Sequence, residues 1–295
     1  MTADYINDSD LSYVSFDPVV NVPHEEPARN GWFDAFTATK RIFADGQMEI
    51  SICKGKHFNG AALTPFGVNK KSKRGESENR ERNDLVAGKA AKKKVRERCK
   101  AIGADRLVTL SFRENITDRA RALKYFDLFR RRLKLCMAFH YVAVMENQKR
   151  GAIHFHIAVH GRQNYHLLRS VWQRVVGKNE AGQQMAQVNV RDPHRFGFGK
   201  TGIHKLAAYL AKYCTKEMEC RELDQKRYFT SRGIPEPEIV QWRLHSNDMM
   251  TAMQVAIQEA QLGNIDGCQI WCNNGLGIVW IATAPGDIGR TDCPF

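Results

Sequence analysis

From residue 105 onward the sequence predicts an α+β or α/β fold. Three apolar, β-prone runs carry the prediction: LVTLSF (107–112), YVAVME (141–146) and AIHFHIAV (152–159). Segments with helical spacing of apolar residues lie between and beyond them. With 295 residues, 43% of them hydrophobic, the chain can bury one substantial core and a small second one.

Residues 1–66 carry short apolar stretches, YVSF and MEISIC, broken by Pro and Gly. They fit either a few strands or a poorly ordered arm and read as an N-terminal extension of unknown role. Residues 67–102 form a basic linker and helix, with 13 basic against 5 acidic residues between Lys70 and Lys100. The first part is polar enough for a solvated linker, whereas Ala87 to Ile102 consists of helix formers. Asp118 to Leu135 repeats Leu123, Phe126, Phe129 and Leu133 at helical spacing. Its basic residues lie mostly elsewhere, on a side suited to tracking phosphates. A second helix, Leu167 to Val176, stops at Gly177. A third spans roughly His204 to Glu217, which places the main domain at residues 103–234. Beyond Pro235 and Pro237, residues 235–295 read as a C-terminal extension, with a helix from Asn247 to Leu262 and a Gly- and Trp-containing tail.

A formal net charge of +13 and a pI near 9.4 point to a polyanionic partner, because Lys and Arg gain free energy by displacing counterions from phosphates. Nucleic acid outranks membrane: no run approaches the ~18 apolar residues of a spanning helix. The N-terminus (MTADYINDSD) is acidic where a secretory signal would be basic, so a cytoplasmic location is expected. The eight scattered cysteines are expected to be reduced. Cys268 and Cys272 lack the second pair that a zinc finger needs.

Two groups of residues point to chemistry. His154 and His156 alternate on a strand, so both imidazoles project from one face while Phe155 faces the other way. The residues between the two runs, Asn147 to Gly151, suit a hairpin loop. Pairing Glu146 opposite Ala152 would put Val144 opposite His154 and make Glu146 a same-face diagonal neighbour within ~7–8 Å. Two imidazoles and a carboxylate could then hold one divalent cation. A register shift of one residue would turn Glu146 away, and an isolated H-x-H is more often structural. His160 lies ~13 Å along the strand from His156, too far to share a metal.

In IHKLAAYLAKYCTKE, Tyr209, Lys212 and Tyr213 stand at i, i+3 and i+4, neighbours on one helix face. Leu206, Ala207, Leu210 and Cys214 cluster around a different direction. Two core tyrosines should have followed the leucines; these follow the lysines, as a reactive pair beside a phosphodiester would. A phenol of pKa near 10 is a poor nucleophile at neutral pH. A divalent cation and a nearby ammonium would favour its phenolate, so the two groups complement each other.

Taken in order, LVTLSF, GAIHFHIAVHG and YLAKYCTKE resemble the three motifs of the HUH (histidine, hydrophobic, histidine) endonuclease superfamily. The likeness spans residues 105 to 233 and leans to rolling-circle replication initiators of bacteriophage and plasmid type, in the two-tyrosine branch. It implies an α+β fold with a central antiparallel sheet, helices on its faces and the histidine strand near the middle. It further implies that His154, His156 and a polar third ligand such as Glu146 bind Mg²⁺ or Mn²⁺. By the same resemblance Tyr209 is the principal nucleophile, Lys212 the lysine of the Y-x-x-K signature, and Tyr213 the second tyrosine. The implied reaction is metal-dependent nicking of origin DNA through a 5′-phosphotyrosine, followed by religation.

The expected substrate is single-stranded or extruded origin DNA in a bacterial host cytoplasm, with a host helicase and DNA polymerase as partners. No nucleotide cofactor is expected. Gly199-Lys200-Thr201 imitates the end of a phosphate-binding loop, but His194 occupies the position of its first glycine. Two other readings stay open: an HUH transposase or relaxase with the same chemistry, and a noncatalytic basic DNA-binding protein.

Overall fold

The computed structural model describes residues 31–59, 73, 76–148, 151–191, 202–216, 225–244, 246–260 and 268–283. In chain order its elements are β1 (Gly31–Ile42), β2 (Met48–Asn59), α1 (Arg80–Ala101), β3 (Arg106–Phe112) and α2 (Arg119–Cys136). Then come β4 (Val142–Asn147), β5 (Ile153–Val159), α3 (Tyr165–Val176), β6 (Ala186–Arg191), α4 (Gly202–Ala211) and α5 (Tyr213–Lys216). The chain closes with β7 (Phe229–Thr230), β8 (Glu238–Leu244), α6 (Met249–Glu259), β9 (Gln269–Asn273) and β10 (Ile278–Ala282). Two antiparallel five-stranded sheets with flanking helices make this an α+β protein, as the sequence predicts.

The chain divides into two units. One combines the described residues before Ser72 with those from Pro237 onward; the other is Lys73–Glu236. In the first, the sheet order is β8-β1-β2-β10-β9, so the two chain ends, which look like separate extensions in the sequence, contribute strands to one sheet. Alternate residues of its strands, among them Phe36, Ile50, Ile52, Trp242 and Ile281, pack beneath Ala252, Val255 and Ala256 of α6. The stretch MEISIC is the start of β2; YVSF lies outside the described residues.

The second unit carries the histidine strand. Its sheet order is β6-β3-β5-β4-β7, with every neighbour antiparallel and β5 in the centre. The period-2 pattern sorts its side chains onto two covered faces. Val108, Leu110, Ala143, Met145, Phe155 and Ile157 pack against α2 and α3. Leu107, Val142, Val144 and Ala158 pack against α1, α4 and α5. Burial on both faces explains why the central strands read as nearly continuous apolar runs. Helix α2 begins where the sequence places it, since the Asp118 carboxylate caps it by accepting from the backbone N–H groups of Ala120 and Arg121 at 2.8 and 3.3 Å. The basic side of α2 therefore belongs to the face opposite the helices that carry the tyrosines. Helix α1 starts at Arg80, seven residues before the expected point, and covers the tyrosine side.

Candidate active site

The β4–β5 hairpin sets the first half of the site. Its register differs from the expected one by two residues: Glu146 lies directly opposite His154, Val144 opposite His156 and Asn147 opposite Ile153. The turn is closed by the Gly151 N–H donating to Gln148 C=O at 2.7 Å, with Gly151 at φ +84°, a conformation open chiefly to glycine. An even shift preserves the face, so Glu146 still shares a side with both histidines. It bonds the diagonal partner: His156 Nε2 and Glu146 Oε2 are 2.7 Å apart.

The partners of His156 select its tautomer. An ionised carboxylate can only accept, so the proton belongs on Nε2, leaving Nδ1 to accept from Thr109 Oγ1 at 3.3 Å. His154 is half-buried, and Gln148 Nε2 donates to its Nδ1 at 3.2 Å. Phe155 faces the other way, fully buried and stacked on Phe126 with ring centroids 4.6 Å apart. His160 is exposed and donates from Nδ1 to Gly103 C=O at 2.8 Å, away from the pair.

The second half comes from α4 and α5. Leu206, Leu210 and Cys214 anchor this segment against the sheet, which lays both tyrosine rings over His156. Tyr213 stacks on the imidazole at 4.8 Å with planes 13° apart, and Tyr209 approaches it edge-on at 6.2 Å. The Tyr213 hydroxyl donates to the Tyr209 oxygen at 2.7 Å. Lys212 Nζ lies 4.2 Å from the centre of the Tyr209 ring and 5.1 Å from that of Tyr213, within cation–π range. The helix loosens at Lys212, although the Lys212 N–H still bonds Ala208 C=O at 3.2 Å.

The two tyrosines differ in a way their shared helix face does not reveal. Tyr213 is buried and joins the apolar cluster with Leu206 and Leu210, whereas Tyr209 is half-buried. Burial, the bond to Tyr209 and the negative charge of Glu146, in that order, push the Tyr213 phenol far above its usual value. Tyr209, by contrast, borders an open cavity of about 790 Å³ that also touches His156, Thr109, Ser111 and the residues of β6. The sequence AQVNVR shows the strict alternation of this strand and is the signal that would have located it.

Residues 105–218 match a family model for replication-associated proteins of the ORF2 type. The match covers well under half of the chain. It runs from the start of β3 past α5 and takes in Glu146, His154, His156, Tyr209, Lys212 and Tyr213. No curated protein and no solved structure matches the chain. Among the described residues no helix is long and apolar enough to cross a membrane.

By donor chemistry, Glu146, His154 and His156 suit a divalent cation: one carboxylate and two imidazoles on one face, two of them already in contact. Among the described residues no three His, Cys, Asp or Glu side chains converge as a ready-made metal group.

Proposed function

We propose that this protein initiates DNA replication by nicking one strand of origin DNA through Tyr209. The observation that carries the reading is the placement of Tyr209. It borders an open cavity, with its hydroxyl bonded to Tyr213 and the Tyr213 ring stacked on His156. The match of this region to a replication-associated family supports the same reading.

In the proposed step the Tyr209 oxygen attacks the scissile phosphorus and loses its proton. A new O–P bond joins Tyr209 to the 5′ phosphate, the P–O3′ bond breaks, and the departing 3′ oxygen ends as a hydroxyl that a polymerase can extend. A later 3′ hydroxyl reverses the exchange and closes the strand. Lys212, beside both rings, stabilises negative charge developing at the phenol. Tyr213 holds the Tyr209 oxygen by its hydrogen bond and is the second acceptor when the displaced strand is cut. His154, His156 and Glu146 would hold Mg²⁺ or Mn²⁺, which polarises a phosphoryl oxygen. Origin DNA, a host helicase and a host polymerase are the partners, in a bacterial cytoplasm.

The test is to incubate the full chain with end-labelled single strands of its own replicon and Mn²⁺, then look for protein-linked DNA on a denaturing gel. A covalent product lost in Tyr209→Phe supports the reading. Tight binding without any covalent product would make the protein a noncatalytic DNA-binding protein. A transposase or relaxase would give the same product from different DNA ends.

A further inference from the structure

The cavity beside Tyr209 extends across the sheet, and the residues it crosses are suited to more than a scissile phosphate. The ladder places Asn189 opposite Thr109 and Thr109 opposite His156, so these three share one row and one face. Gln187 lies opposite Ser111 in the next same-face row, and Arg191 opposite Leu107 in the row on the other side. Two strand spacings put the backbone of Asn189 roughly 10 Å from that of His156. Among the described residues β6 is the edge of its sheet, and Gln187, Asn189 and Arg191 are all exposed.

An exposed edge strand is usually protected by charged side chains, often lysine. Here two of the three outward positions carry amides instead, and they lie in a concave surface. Three arginines, Arg113, Arg169 and Arg191, line the same cavity, and among the described residues no ion pair joins any of them to a carboxylate. The cavity passes over the β6 edge onto α3. There Arg169, Gln173 and Gln184 also line an adjoining cavity of about 550 Å³ that includes His166, Arg174 and Lys178. This is a positively charged path with amides along one stretch, leading away from Tyr209. Guanidinium groups hold phosphates whatever the sequence, whereas an amide offers a donor and an acceptor side by side, as base edges do.

We propose that Gln187 and Asn189 read the bases of the single strand close to the scissile phosphate, while Arg113, Arg169 and Arg191 hold its backbone. The inference rests on the nicking reading for the location of the scissile phosphate and assigns the sequence preference of that same site to β6.

The experiment exposes the full chain to a randomised library of single-stranded DNA, sequences the bound fraction, and repeats this with the double variant Gln187→Ala, Asn189→Ala and with Arg169→Ala. The wild type should enrich a short motif. The double variant should lose discrimination at one or two of its positions by roughly five- to a hundredfold, the range of a lost amide–base pair. Arg169→Ala should instead weaken binding to all sequences alike and flatten the salt dependence by about one phosphate contact. An unchanged motif in the double variant, or no motif in the wild type, overturns the inference. The enriched strands are then assayed for covalent product. A product with an unchanged motif sinks the β6 reading and leaves nicking standing; a β6-dependent motif without product does the reverse.

Discussion

Replacing Tyr213 with Phe separates what its hydroxyl does from what its ring does. The ring stacked 4.8 Å from His156 remains, while the hydrogen bond of 2.7 Å to Tyr209 is lost. A neutral hydrogen bond contributes about 0.5–1.5 kcal/mol, and about 1.4 kcal/mol corresponds to tenfold in rate. If that bond does no more than hold the nucleophile, the first cleavage should slow by about two- to tenfold and no further. Multi-round closure of circles should fail, because the second acceptor is gone. The assay compares initial rates of covalent product on a denaturing gel for wild type, Tyr213→Phe and Tyr209→Phe, each confirmed folded by circular dichroism. If Tyr213→Phe removes the product as completely as Tyr209→Phe, the assignment of Tyr209 as principal nucleophile is refuted. In that case the buried tyrosine is itself needed for the first attack.

Other outcomes follow from the same geometry. Chelation with EDTA should abolish cleavage while leaving much of the DNA binding, and His154→Ala and His156→Ala should behave alike; undiminished cleavage in EDTA would remove the metal from the mechanism. Phe155→Ala opens a cavity where a fully buried ring stacks on Phe126, and should lower stability by about 3–5 kcal/mol in urea titration. A loss below about 1 kcal/mol would mean that the histidine strand is not held by this packing. Burial raises the pKa of Cys99, Tyr141 and Tyr228 in the folded chain. The unfolded chain therefore releases these protons first as pH rises, so their contribution is complete below the unfolded values of about 9 and 10 and is lost above them. Urea midpoints should consequently hold near neutrality and fall in alkaline buffer, and a midpoint that rises there would contradict the sign.

Several features of this protein are legible in the order of its amino acids, and they are the ones encoded within a few residues. Alternation along AIHFHIAV is enough to put His154 and His156 on one side and Phe155 on the other, because a strand repeats every two residues. The spacing of Tyr209, Lys212 and Tyr213 likewise makes them neighbours on any helix. Asp118 and Gly177 mark helix ends by local hydrogen bonding and backbone freedom: α2 starts at the first and α3 stops at the second.

Tertiary structure decided what depends on which distant segments meet. The hairpin register put Glu146 opposite His154 and in bond with His156, a choice made by the turn and by packing on both faces of the sheet. Helix-to-sheet packing laid the tyrosine helix over His156 and buried Tyr213 more deeply than Tyr209, a difference absent from their common helix face. The same kind of long-range pairing brought the strands of both chain ends into one sheet and left the amides of β6 on an open edge. Periodicity states which side chains share a face; only the competition among packed segments states what that face will meet.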